Sequence, residues 1–174
     1  DMIIWGCGDD YIIVAGIIDE MKTQNTAFAV DRNCPDMDFV CENANRLWGC
    51  SSKTNEIFAS KLGDPTNFYT YTGISTDSYA VTVGTDGEFT GAISYRGYVL
   101  FFKENCVHKI YGSNPPYTVN TNYIRGVQKG SEKSLITVNE TLYYKSPNGI
   151  VMYDGGLPIS IFDNFSDDYY FNAV

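Results

Sequence analysis

The chain has 174 residues, of which 44% are apolar and 15% aromatic, with 14 Tyr, 10 Phe and 16 Gly. That is enough for one substantial core and too aromatic for a disordered segment. Twelve basic against 21 acidic side chains leave a net charge of -9, with no two Lys or Arg adjacent, so the field repels phosphate backbones and direct nucleic-acid readout is disfavoured.

Strand signals dominate and come in groups. The first group has apolar runs at 11–16 and 26–30, separated by a polar turn at 22–25. The second reads as strands at 38–42, 46–50, 56–60 and 67–71. The third reads as 91–95, 98–102, 106–111 and 117–121, and the fourth as 134–138, 141–145, 149–153 and 158–161. Within the last two groups the joins are so short that each pair must be an antiparallel hairpin, because parallel strands need long crossovers. Asn148-Gly149 is a strong hairpin signal, since both residues tolerate positive φ. Gly63-Asp64-Pro65 ends a strand, because Pro cannot donate to a ladder. Residues 72–88 form an extra segment, in which 75–83 reads equally as helix or loop. Short helical turns are suggested at 64–67 and at 166–170, the latter capped by Ser166 with acids in its first turn. A further helix start is suggested near Phe162.

The groups repeat one unit. Aligning their second strands places Ile13, Leu47, Val99 and Leu142 in register at separations of 34, 52 and 43 residues. A period in the forties matches a four-stranded blade. The predicted fold is therefore all-β, with antiparallel four-stranded blades in a β-propeller-like arrangement; a sandwich of two sheets is the competing architecture. One domain, 1–174, would hold about four degenerate blades at 1–37, 38–71, 89–125 and 131–162. Four units are few for a closed ring, and the opening Asp-Met-Ile-Ile-Trp does not read like a natural start, so the sequence reads as a fragment of a larger propeller.

Candidate chemistry is sparse. The five cysteines, Cys7, Cys34, Cys41, Cys50 and Cys106, are odd in number and hold no CxxC pair, which reads as scattered free thiols rather than a disulfide framework or a zinc site. The single histidine, His108, lies two residues from Cys106 on the same face of a strand, but a structural strand histidine is the simpler reading. The acids Asp9-Asp10, Asp19-Glu20, Asp86 with Glu88, and Asp167-Asp168 fall in turns or termini, where solvated carboxylates are the default. Residues 84–88, Gly-Thr-Asp-Gly-Glu, hold part of a calcium-loop pattern without the remaining ligands. Asn139-Glu140-Thr141 matches a glycosylation triplet that arises readily by chance. Tyr69, Tyr71, Tyr117 and Tyr123 are candidates for stacking on sugar rings. Catalytic, cofactor-binding and metal residues are each assigned as none. No apolar run reaches 18 residues, so no membrane span is predicted, and no secretory signal is visible.

Three stretches resemble repeats of bacteriophage structural proteins from the tail and head-to-tail region. They are 45–50 (Asn-Arg-Leu-Trp-Gly-Cys) continuing through 55–68, then 94–112, and then 142–156, together reaching across about residues 39–161. The resemblance implies a non-enzymatic virion component, made in the bacterial cytoplasm and carried in the particle. Its implied partners are other virion proteins and copies of itself, with no cofactor. Complete proteins of this kind are considerably longer, which agrees with a fragment. The alternative expectation is a glycan- or receptor-binding, lectin-like propeller.

Overall fold

A computed structural model of the chain describes residues 34–161 in full, and the backbone of residues 2–7 and 10–15. Strands β1 (Met2–Cys7) and β2 (Asp10–Ala15) pair as an antiparallel hairpin. The remaining strands among the described residues belong to three antiparallel four-stranded sheets, with strand order equal to chain order in each. Sheet I is β3 (Phe39–Asn43), β4 (Arg46–Ser51), β5 (Glu56–Ala59) and β6 (Tyr79–Thr82). Sheet II is β7 (Phe89–Tyr95), β8 (Tyr98–Lys103), β9 (Cys106–Tyr111) and β10 (Thr118–Asn122). Sheet III is β11 (Ile136–Val138), β12 (Thr141–Ser146), β13 (Gly149–Tyr153) and β14 (Ile159–Ser160). The fold is all-β, as the sequence predicts.

Turn chemistry sets the registers. Each sheet opens with a two-residue turn whose central residues both have positive φ: Ala44 and Asn45, Arg96 and Gly97, Asn139 and Glu140. Such turns carry a twist that matches the strands they join. Glycine fills only one of the six places, at Gly97.

The second strands align as predicted: Leu47, Val99 and Leu142 are each the second residue of β4, β8 and β12. Ile13 also lies in a second strand, β2, but as its fourth residue, two places out of the predicted register. β9 and β13 keep their predicted limits, while β11 starts at Ile136 because residues 132–134 form a 3-10 turn. β1 was not anticipated. The predicted strand at 26–30 and the helix suggestions beyond Phe162 lie outside the described residues.

One strand needs correction. Residues 67–71 are not the fourth strand of sheet I; that place is taken by β6 at 79–82, within the stretch read as helix or loop. The reason is local. The Asn67 side-chain oxygen accepts hydrogen bonds from the Tyr69 amide at 3.2 Å and the Thr70 hydroxyl at 3.0 Å, an Asx turn that competes with extension. Phe68 then turns inward as an anchor, 1% exposed. The suggested helical turn at 64–67 is a plain turn, with the Asp64 carboxylate accepting from the Thr66 amide and hydroxyl.

Alternation along the strands distributes the core. In sheet II, Val99, Phe101 and Ile110 face sheet I and pack with Trp48, Cys50, Ile57 and Ala59. Leu100, Phe102 and Val107 face the other way and pack with Leu142, Tyr144, Val151 and Tyr153 of sheet III. Sheet II is thus covered on both sides, which is why β8 reads as a continuous apolar run. Each fully buried aliphatic or aromatic side chain contributes roughly 1.5–3 kcal/mol.

Candidate functional site

Three places in the fold concentrate chemistry or exposed apolar surface. The first lies between sheets I and II. His108 has no exposure, and its two ring nitrogens each lie 2.9 Å from a threonine hydroxyl, Nε2 from Thr85 and Nδ1 from Thr121. Burial pushes its pKa down to about 4, with the nearby Lys103 charge acting in the same direction. Lys103 is itself 1% exposed and donates to Asn55 Oδ1 at 2.5 Å and to the Thr85 carbonyl at 2.7 Å, with its ammonium 4.8 Å from the centre of the Phe89 ring. Burial lowers its pKa as well. Cys106 Sγ is 3.8 Å from His108 Nε2. The pairing suggested by their spacing is therefore close in space, but the nitrogen is engaged by Thr85 and neither side chain reaches solvent. A nucleophile and its base must meet a substrate; this pair is sealed inside an interface.

The second place is the loop between β5 and β6. Arg46, 3% exposed, donates from its guanidinium to the carbonyls of Ser60, Asp77 and Ser75 at 2.7, 2.5 and 2.9 Å. Burial opposes the charge on Asp77, but hydrogen bonds from the Thr72 hydroxyl and from the Gly73, Ile74 and Thr72 amides outweigh it and hold the carboxyl below its usual value. Beside this loop runs an open trough of about 650 Å³, lined by Tyr71, Ile74, Tyr79 and Asn114 among others. Tyr71 is 58% exposed.

The third place is the outer face of sheet III. The two-residue turns at 139–140 and 147–148 set Ile136 opposite Tyr143 and Tyr143 opposite Met152, and the longer connection at 154–158 brings Ile159 opposite Met152. Directly paired residues share a face. Four apolar side chains therefore cross all four strands in one row. Ile136 and Ile159 are 56% and 55% exposed, and Val138 and Ile150 flank the row, also exposed.

The other predicted candidates scatter. Tyr69 and Tyr123 are exposed, whereas Tyr117 packs edge-on against Trp48 and Tyr79, with ring centres 4.8 and 5.1 Å away. The four tyrosines form no common platform. The loop at 84–88 latches sheet I to sheet II through Thr85, and Glu88 pairs with Lys129. Among the described residues, no cluster of His, Cys, Asp and Glu is arranged to hold a metal ion. Cys34, Cys41, Cys50 and Cys106 are free thiols. Burial pushes Cys41 up to about 12, with Glu42 adding to it, and Cys34 up to about 11. In the Asn139-Glu140-Thr141 triplet, Asn139 and Glu140 form the turn between β11 and β12 and Thr141 opens β12. Asp10 is the first residue of β2; Asp9, Asp19, Glu20, Asp167 and Asp168 lie outside the described residues.

Arg46, Lys103 and the row on sheet III were not singled out in the sequence. For the row a signal existed: counting outward from the turns at 139–140 and 147–148 sets Ile136, Tyr143 and Met152 opposite one another. For Arg46 and Lys103 there was none, because their acceptors are backbone carbonyls and the Asn55 side-chain oxygen, brought from 14 to 48 residues away. No helix among the described residues is long and apolar enough to cross a membrane. No protein-family model and no curated protein matches the chain.

Proposed function

We propose that the chain is a structural, non-enzymatic component of a bacteriophage particle, at the tail or the head-to-tail connection. On this reading its sheets are blades of a larger propeller that assembles through protein–protein contacts. The observation that carries assembly is the apolar row Ile136–Tyr143–Met152–Ile159, exposed at its two ends and half-buried at its middle, a kind of surface that a monomeric soluble protein seldom leaves open. The buried ionisable groups support a scaffold role, since His108, Lys103 and Arg46 are spent on hydrogen bonds that join loops and sheets. The assignment to a phage particle rests on the resemblance of the three repeat stretches. Immunogold labelling of purified particles, with an antibody against residues 34–161, tests it. Label at the tail or its junction with the head is the expected result, and particles that carry no label would overturn the assignment.

A glycan-binding role is the second reading, favoured by the trough beside Tyr71 and Tyr79. Aromatic faces next to polar groups suit sugar rings. A glycan array probed with the wild-type chain and with Tyr71→Ala decides it: reproducible binding lost in the variant supports a lectin, and no binding by either removes it.

A further inference from the structure

Lys103 ends β8 on the same face as Val99 and Phe101, the face turned towards sheet I. There it meets Asn55, which lies forty-eight residues earlier in the turn between β4 and β5. Asn55 holds a left-handed backbone at φ 58, a conformation that Asn tolerates better than most side chains. Its amide is fixed from the other side by the segment after β6. Nδ2 donates to the Val83 carbonyl at 2.6 Å and to the Thr85 carbonyl at 3.0 Å, while the Asn55 carbonyl accepts from the Val83 amide at 2.9 Å. The loop thus sets the plane of the side-chain amide, with Oδ1 turned to the Lys103 ammonium at 2.5 Å.

Two features set this pair apart from an ordinary hydrogen bond. The first is charge. Lysine is seldom buried without a carboxylate partner, because an uncompensated charge is costly away from water. Lys103 is 1% exposed, yet its two acceptors are neutral oxygens, and among the described residues no carboxylate forms an ion pair with it. The Phe89 ring offers only partial compensation. Burial lowers the pKa of the ammonium and so raises the share of free amine, which is the nucleophilic form. The second feature is distance. A carbonyl bond is about 1.2 Å long, so Cγ of Asn55 lies no more than about 3.7 Å from Nζ. That is close to the separation from which bound atoms react.

We propose that Lys103 and Asn55 join in an intramolecular amide, an isopeptide bond that staples sheet II to sheet I. The free amine of Lys103 attacks Cγ of Asn55 and the Nζ–Cγ bond forms. The Cγ–Nδ2 bond then breaks, and its electron pair leaves on nitrogen. Both protons shed by Nζ end on the departing nitrogen, so ammonium is released and no oxidant or cofactor is consumed. Asp86, the residue after Thr85, carries the carboxylate whose charge acts on Lys103, and it relays those protons. The positive charge leaves the interior with the ammonium, which favours the product. The staple does not depend on the assembly role proposed above.

Intact-mass spectrometry of the purified wild-type chain tests the bond without relying on the folding of any variant. The expected mass is that of the sequence less one ammonia. Trypsin is then expected to leave Lys103 uncut and to release residues 54–61 and 97–109 as one linked species. Lys103→Arg and Asn55→Ala should each restore the full mass. Asp86→Asn should leave most of the chain unreacted under conditions in which the wild type is complete, and equal reaction in both overturns the relay. A wild-type chain that is folded by near-ultraviolet dichroism and keeps its full mass through prolonged incubation overturns the proposal. An ammonia loss that persists in Lys103→Arg also overturns it, since the loss would then lie elsewhere, as in a cyclic imide at Asn148-Gly149.

Discussion

Arg46 Nη1 lies 2.5 Å from the carbonyl oxygen of Asp77, thirty-one residues further along the chain. The same guanidinium reaches Ser60 and Ser75 and stands 5.9 Å from the centre of the Tyr117 ring, on the residue just before β10. One side chain thus ties both ends of the long β5–β6 loop to the first residue of β4. This bond explains why residues 60–78 make a structured loop instead of a fourth strand and a helix.

Removing that tie leaves two buried carbonyls and one partly buried carbonyl short of a donor. Arg46→Ala is expected to cost roughly 3 kcal/mol or more in urea denaturation. It should also admit protease first within residues 61–76. Arg46→Lys should recover only part of the loss, because an ammonium does not span three acceptors as the planar fork does.

His108 makes stability depend on pH. In the folded chain it stays neutral until about pH 4, whereas the unfolded chain protonates it near 6.5. Between those values the unfolded state holds more protons, so stability falls as the pH is lowered. The contribution is present in full above pH 6.5, is lost progressively towards pH 4, and changes no further below that. The shift corresponds to roughly 3 kcal/mol. Denaturation of the wild type and of His108→Gln, measured from pH 7.5 to pH 4, should show the gap between them narrowing as the pH falls. A constant gap would contradict the assignment.

Two glycines allow close approach, with different consequences. A Cβ on Gly126 would sit 2.1 Å from the Lys103 carbonyl oxygen, which is backbone in a fully paired strand. On Gly49 it would meet only the flexible Met37 side chain. Gly126→Ala is expected to destabilise by about 3 kcal/mol, and Gly49→Ala by about 1 kcal/mol. Met37→Ala should rescue the second change and not the first; thermal unfolding of the three variants checks this.

Ala44 occupies a left-handed turn position at φ 53. That conformation costs a non-glycine residue about 1–2 kcal/mol, partly offset by the greater freedom that glycine loses on folding. Ala44→Gly is expected to stabilise the chain by about 0.5 kcal/mol, read as a higher urea midpoint with unchanged slope. A lower midpoint would show that the β3–β4 turn is not under this strain.

What the amino-acid order determined by itself was the hairpin content and its phase. Two-residue turns leave a pair of strands one register, and strict alternation then assigns every side chain to a face. Leu47, Val99 and Leu142 therefore hold equivalent places in the three sheets. The apolar row on sheet III was legible in the same way, although only its exposure gives it meaning. The tertiary structure decided which face of each sheet would be covered and by what. The fourth strand of sheet I went to Tyr79–Thr82 because Asn67 turns the chain back locally and Arg46 anchors the loop from a distance. The spacing of Cys106 and His108 left open whether they react or pack; two threonine hydroxyls from separate elements settled that they pack. Local order follows from turn chemistry and from the two-residue period of a strand, which act between neighbours. Long-range placement depends on desolvated polar groups finding partners tens of residues away, and no short stretch of sequence encodes that meeting.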